Sequence, residues 1–323
     1  MAKNGLIHAF ILDGSGGGRR LNWEEIGLWS PAQGILWIHL SYNGFDAATW
    51  IQEKSGLDPV VAEALLSEET RPRSTIIDNG LLMTLRGVNL NPGSDHEDMV
   101  SVRIWAEKEM IITTRKRKLL SVTNIADSLD AGRGPCTSSQ FINMLAEFLT
   151  LNIEGTIDVI ESHTAELEEQ VGDFQNRSLR AEITGLRRKA IMLRRYLAPQ
   201  REALIRLHAD NLPWFNEGDR RQLHETANSL IRIVEDLDSI RDRALVAQEE
   251  LINIVSEQMN SRMYTLSLVT AIFLPLSFLT GLLGINVGGI PGSQSDLAFL
   301  AFLILLLLIF LGQLFYFRKK RWI

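Results

Sequence analysis

Residues 265–292 read TLSLVTAIFLPLSFLTGLLGINVGGIPG. From Thr265 to Leu283 there is no Asp, Glu, Lys or Arg, and about twenty such residues cross roughly 30 Å of hydrocarbon as a helix. The adjoining stretch, Gly284-Ile285-Asn286-Val287-Gly288-Gly289-Ile290-Pro291-Gly292, cannot remain in lipid. Glycine and proline break the helix, and lipid offers the Asn286 amide no hydrogen-bond partner. These residues therefore predict a membrane span closed by a tight loop at the membrane surface. A second uncharged run, Leu297–Phe317, comes after the loop and ends in Arg318-Lys319-Lys320-Arg321-Trp322. A basic end with an interfacial Trp stays on the cytoplasmic side. Two spans return the chain to the side it left, so the large N-terminal part is also cytoplasmic and the GINVGGIPG loop faces outward.

The rest of the 323 residues is of ordinary soluble character. A net charge of −6 and the lack of a Lys/Arg stripe interleaved with aromatics exclude a general nucleic-acid binder. The single cysteine, Cys136, excludes a disulfide framework and a CxxC metal clip, which suits a reducing compartment. The N-terminus has a short apolar patch that runs into Asp13 and a glycine cluster without a cleavage site, so it reads as a strand rather than a signal peptide.

Residues 1–135 predict a cytoplasmic α/β domain with a mixed sheet. Leu6–Leu12, Ile35–Leu40, Leu81–Leu90, Met99–Trp105 and Met110–Thr114 are alternating or β-branched, and turn clusters such as Asn91-Pro92-Gly93-Ser94 separate them. Ala47–Lys54 and Pro59–Glu69 predict helices, the second opened by Asp58-Pro59 as cap and first residue. Gly132-Arg133-Gly134-Pro135 marks a boundary. Residues 136–262 then predict a long-helix bundle, with Ser139–Gly172 and Ser178–Asp210 as its first two members. A third helix starts near Glu217 and meets no breaker before the membrane. Along it Leu230, Ile233, Leu237, Ile240, Ala244, Ala247, Leu251 and Ile254 step alternately by three and four, a heptad seam that wants partner helices from its own chain or from copies. Residues 263–323 form the membrane part, with spans of about 265–284 and 297–317.

The first span carries a stripe. Asn260, Met263, Ser267, Thr270, Leu274, Ser277 and Gly281 recur at three- and four-residue spacing on one face, largely small or polar, while Leu268, Ile272, Phe273, Leu276 and Leu279 lie elsewhere. Small and hydroxylated residues also pack helices together in lipid. As a whole, however, the stripe predicts the lining of a wet path that ends at Asn286. One or two spans cannot enclose a pore, so several copies must surround an axis, and the heptad seam is a ready means of assembly. Pro275 predicts a tolerated kink in mid-span.

With these features assembled, the chain resembles the CorA superfamily of divalent-cation transporters over nearly its whole length. The Gly284-Ile285-Asn286 tripeptide stands where that family usually has Gly-Met-Asn. Together with Arg86-Gly87-Val88-Asn89-Leu90-Asn91-Pro92-Gly93 and the glycine-rich loop, it is similar to the ZntB zinc-transporter branch. The resemblance implies a homopentameric inner-membrane protein with a cytoplasmic funnel and a pore of five first spans. Asn286 would be the entry ligand, taking the ion through its hydration shell, which suits divalents that surrender water reluctantly. Gly284 would permit the turn and Ile285 would support it by packing. The resemblance further implies zinc as the transported ion, with no cofactor, and proton symport as the coupling.

The residues themselves do not identify the metal. His8, His39, His96, His163, His208 and His224 all lie outside the spans without HxxxH or HExxH pairing, and read as surface or structural histidines. Acidic runs such as Glu166-Leu167-Glu168-Glu169 and Glu235-Asp236-Leu237-Asp238 either concentrate cations or are solvated helix faces. Direction is set by electrostatics: at roughly 100 mV, inside negative, a dication gains about 4.6 kcal/mol moving inward. Gly14-Ser15-Gly16-Gly17-Gly18 lacks the Gly-Lys-Ser/Thr end of a nucleotide loop and predicts a flexible turn, so no ATP-driven export is implied. An enzyme is not expected, since no nucleophile triad, phosphate loop or pair of intramembrane acids is present. Uptake of magnesium, cobalt or nickel, zinc efflux, and a membrane-tethered scaffold or sensor remain the alternatives. The aligned polar stripe argues against the last, because a tether needs none.

Overall fold

A computed structural model describes residues 5–68, 71–171, 178–285 and 295–320. In chain order the elements are β1 (Leu6–Leu12), β2 (Gly18–Arg20), α1 (Trp23–Gly27), β3 (Ile35–Ser41), α2 (Phe45–Thr49), α3 (Pro59–Leu66), β4 (Arg73–Ile77), β5 (Gly80–Gly87), β6 (Val100–Ala106), β7 (Met110–Arg115), α4 (Leu120–Asp130), α5 (Ser138–Gln170), α6 (Leu179–Ala209), α7 (Glu217–Leu283) and α8 (Ala298–Lys319). They fall into two compact units, Met1–Gln248 and Glu249–Ile323.

In the first unit the strands form one mixed sheet in the order β2-β1-β3-β7-β6-β5-β4, with β3 and β7 parallel and the other pairs antiparallel. The middle five residues of β3 are all buried, as a central strand covered on both faces requires. On one face Leu36, Ile38 and Leu40 join Ile51, Val61 and Leu65 in a single core cluster. On the other Trp37 meets Phe141 of α5, ring centroids 4.9 Å apart. Local signals set the helix starts. Asn22 and Glu25 form a reciprocal capping box on α1, Asp58 Oδ1 accepts the Val60 N–H at 2.7 Å, and Thr137 Oγ1 accepts the Gln140 N–H at 3.2 Å. The predicted helix from Ala47 to Lys54 is α2 followed by a π-helical turn over Trp50–Lys54. The one predicted over Pro59–Glu69 ends at Leu66, and Glu69 lies outside the described residues. The glycine-rich Gly14–Gly18 segment is the β1–β2 turn, fixed by Asp13 Oδ1, which accepts the N–H groups of Ser15 (2.7 Å) and Gly17 (2.9 Å).

The long helices cover the sheet and one another. Gly87 lets α5 approach, since a Cβ there would lie 2.6 Å from Leu149 and 2.9 Å from Leu119. Gln200 of α6 accepts the Arg86 N–H at 2.6 Å, and Tyr196 lies 4.0 Å beneath the Arg86 guanidinium. Arg86 thus docks α6 onto the sheet. Asp219, buried at the start of α7, accepts from Ser139 Oγ at 2.5 Å and gives its backbone carbonyl to Asn143 Nδ2 at 2.9 Å, joining α7 to α5.

The heptad seam finds its cover within the chain. Leu230, Ile233, Leu237, Ile240, Ala244 and Ala247 are all buried in the single protomer, while Leu251 and Ile254 are, respectively, half-buried at the exposed margin of the same seam. Of the two covers expected for the seam, its own chain or copies, the first is found for most of its length: it is spent inside the chain's own bundle.

In the second unit, α7 from Glu249 onward and α8 each hold an 18-residue window apolar enough to cross a membrane, with none of either window buried. The 22 residues of α8 extend about 33 Å, enough for the hydrocarbon.

Candidate functional site

The site is built on α7. At about 100° per residue, Asn260, Met263, Ser267, Thr270, Leu274, Ser277 and Gly281 fall within an arc of about 100°. Every one of the seven is exposed. The half-buried positions from 265 onward are Leu268, Ile272, Pro275, Leu276 and Leu279, and they centre on the opposite side of the helix. Those five are partly covered, whereas the stripe is exposed, as are Leu266, Val269 and Phe278 beside it. Phe273, expected with the covered group, is 61% exposed.

On the stripe, Thr270 presents an acceptor. Thr270 Oγ1 donates its one hydrogen to the Leu266 carbonyl at 2.8 Å, which leaves only lone pairs facing outward. Beside the stripe, Thr280 Oγ1 donates in the same way to Leu276 O at 3.0 Å. Such oxygens suit a cation or the water around one. N-terminal to the stripe the same side of α7 carries Ile252, Val255 and Met259, exposed by 45, 43 and 59%.

Helix α7 ends where expected. The Gly284 N–H donates to Thr280 O at 2.9 Å, and a Cβ at Gly284 would stand 2.9 Å from that same oxygen, so a larger residue crowds the terminus. Ile285 is 50% exposed and Asn286, the expected entry ligand, lies outside the described residues, as does Arg321 of the basic tail. Arg318 and Lys319 occupy the last turn of α8, with Lys320 as its cap, where cations complement the helix dipole.

The histidines are not scattered as their spacing suggests. His8 and His39, register partners across β1 and β3, stack with centroids 6.0 Å apart. Burial pushes His39 well below its ordinary pKa, with the charges of Arg115 and His8 adding. His8 is lowered by burial, then by Arg20 and Arg115, against the opposite pull of Asp127 and Asp130. His208 and His224 also meet, 4.7 Å between centroids. Neither pair forms a short sequence motif, because each is assembled by the fold. Among the described residues no three His, Cys, Asp or Glu side chains converge to hold a metal.

The acidic runs are partly occupied. Glu168 is paired with Arg243, and Asp238 lies 2.7 Å from Arg194 Nε, in ionic contact without hydrogen-bond alignment, and 3.0 Å from Arg241.

Comparison with known proteins bears on the whole length. The profile of the family described as "CorA-like Mg2+ transporter protein" matches residues 32–319. The "Divalent cation transporter CmaX" of Pseudomonas aeruginosa is 40% identical over 327 residues, 99% of this chain and 98% of that protein. The "Zinc transport protein ZntB" of Yersinia enterocolitica is 34% identical over 317 residues, 98% of this chain and 96% of that one. The solved structure of full-length CmaX superposes with a TM-score of 0.87 at 39% identity, covering 99% of this chain and 98% of that one. The CorA magnesium transporter of Methanocaldococcus jannaschii gives 0.82 at 18% identity, over 98% of this chain and 99% of that one, and so shares the fold.

Proposed function

This chain belongs to the family of CorA-like Mg2+ transporter proteins, and from that premise we propose that it carries zinc inward with protons through a pore made by copies of α7. Divalent-cation transport comes with the family; zinc, direction and coupling are the further reading. The observation that carries the pore is the exposed stripe from Asn260 to Gly281, opposite the half-buried face of the same helix. A helix that only anchors a protein gains nothing by aligning small and polar residues along one side.

Five copies around an axis would turn these stripes inward, with Ile252, Val255 and Met259 in contact near the cytoplasmic end, and with α8 outermost against lipid in the inner membrane. Gly284, Ile285 and Asn286 would then ring the outer mouth, Asn286 meeting the ion through its water shell. Both termini would be cytoplasmic, with Arg318 to Arg321 holding the second span. Zinc is favoured by the ZntB relatives, whose names state it and which align over almost the whole chain. Inward movement is favoured by the membrane potential. Proton coupling needs a group outside the spans, because the described residues of 265–283 and 298–317 include no carboxylate or histidine. One observation favours a second reading, a less selective divalent importer: the CmaX relative at 40% identity is named without a particular metal.

The test is flux into proteoliposomes, with zinc or magnesium outside, an imposed pH gradient, and an Asn286→Ala control. Zinc entry that grows with inward proton drive and disappears in the control is the expected result. Magnesium entry indifferent to the gradient would favour the less selective importer, and absence of any flux would leave a scaffold.

A further inference from the structure

We propose that His208 and His224 form a two-histidine binding site for a transition-metal dication at the turn between α6 and α7. This goes beyond the transport reading and does not depend on it. The turn is held firmly. Arg220 donates from Nη1 to the carbonyls of His208 (3.3 Å) and Asp210 (2.5 Å), and from Nη2 to Asn211 Oδ1 (3.2 Å) and Leu212 O (3.4 Å). The last turn of α6 and the first turns of α7 are thereby fixed relative to each other before any ion arrives.

The same residue sets the tautomer of His208. Nδ1 of His208 lies 3.1 Å from the Arg220 carbonyl, and a carbonyl only accepts. Nδ1 must therefore carry the hydrogen, and the neutral ring presents a lone pair at Nε2. A backbone carbonyl on one nitrogen that leaves the other basic is the arrangement that orients metal-binding histidines. His224 stands one helical turn beyond Arg220, and its ring centre is 4.7 Å from that of His208 with the planes tilted by 32°. Two imidazoles bound to one tetrahedral ion at 2.0–2.1 Å have centres about 5 Å apart. The observed 4.7 Å is close to that separation.

The ligand class is dictated by the donors. Imidazole nitrogen suits zinc, nickel or copper, whereas magnesium demands oxygen. His224 is exposed and His208 half-buried, so ions can enter. No third His, Cys, Asp or Glu joins them among the described residues, so water completes the coordination. That incompleteness and the nearby Arg220 charge make this a reversible site rather than a structural one. An ion here would staple α6 to α7.

The experiment uses the full chain purified in detergent, dialysed at neutral pH against Co2+ or Zn2+, with metal content and the visible absorption of Co2+ read per chain. His224 is exposed, so the H224Q variant keeps the fold, which a melting curve verifies. The expected result is one ion fewer per chain in H224Q, recovery in H224C, which restores a soft ligand, and no displacement by a hundredfold excess of Mg2+. Equal metal content in wild type, H224Q and H208Q would overturn the proposal and leave the rings as a simple stack. Displacement of the Co2+ by Mg2+ would overturn it as well.

Discussion

Arg243 grips both carboxylate oxygens of Glu168, Nε to Oε1 at 2.9 Å and Nη2 to Oε2 at 2.6 Å, across 75 residues of sequence. The contact ties α7 to α5, and it takes one charge out of the acidic run 166–169, whose composition alone suggests a well for cations. Arg243 also stands 3.7 Å from Glu161, and its pKa is raised first by the hydrogen bond to Glu168. Both side chains are about one-third exposed, which limits the gain through solvent screening. A double-mutant cycle with E168Q and R243M should give a coupling of about 1 kcal/mol by thermal or urea unfolding. A coupling indistinguishable from zero would mean the pair is ornamental and Glu168 is free to meet ions.

Acid should loosen the first unit before its carboxylates titrate. His39 is fully buried with its pKa held well below the ordinary value, so near pH 6 the unfolded chain binds a proton that the folded one refuses. Stability must then fall as pH drops below about 6.5, by up to about 1.4 kcal/mol per pH unit for this residue. His8, shifted the same way, adds to the slope. Asp98, Asp130 and Glu68 are shifted downward and contribute only at lower pH. Unfolding midpoints measured between pH 7 and 5 should decline in the wild type and decline less steeply in H39Q. Parallel slopes would show that His39 is not the titrating group.

Bulk on the stripe should block flux where bulk elsewhere does not. S277L projects a larger apolar side chain from the exposed face of α7 and is expected to cut metal entry by roughly tenfold or more through occlusion and dewetting. L308A, on the uncovered side of α8, should leave flux near wild type. Equal effects of the two in proteoliposomes would remove the stripe from the conduction path.

Two glycines should respond oppositely to alanine. At Gly80 a Cβ would sit 2.3 Å from the Trp105 ring, so G80A forces the indole or the strand to move and should cost roughly 1–3 kcal/mol. Gly155 lies on an exposed face of α5 with nothing within 4 Å of its would-be Cβ, so G155A should stabilise by up to about 1 kcal/mol. Melting temperatures of the two variants moving in the same direction would contradict this packing.

Much of the sheet was legible because strands covered on both faces read as short apolar, β-branched runs bounded by turn residues. Leu6–Leu12 matches β1 to the residue, β3 and β7 run one residue further than expected, β6 is shifted by one residue at both ends, and the strand expected over Leu81–Leu90 is β5, which starts one residue earlier and ends at Gly87. The short edge strands β2 and β4 escaped, being partly exposed and without a clear alternation. Helix α4 escaped for another reason: its cap position is Leu119, which supplies no side-chain acceptor and so no start signal. The spacing of Val122, Ile125, Ala126 and Leu129, all buried, was the sign available to find it. That the seven stripe residues share one face of α7 follows from the helical repeat alone.

By itself the sequence determined the two candidate spans and the long helices, because lipid penalises every unsatisfied polar group and so dictates composition residue by residue. The tertiary structure alone decided who meets whom. That the heptad seam is consumed within one chain, that Glu168 is spent on Arg243, and that His208 faces His224 all depend on how helices far apart in sequence are laid side by side. Local periodicity fixes which face of a helix is turned inward, but the axial alignment of neighbouring helices comes from the summed fit of many side chains, and no short stretch carries it.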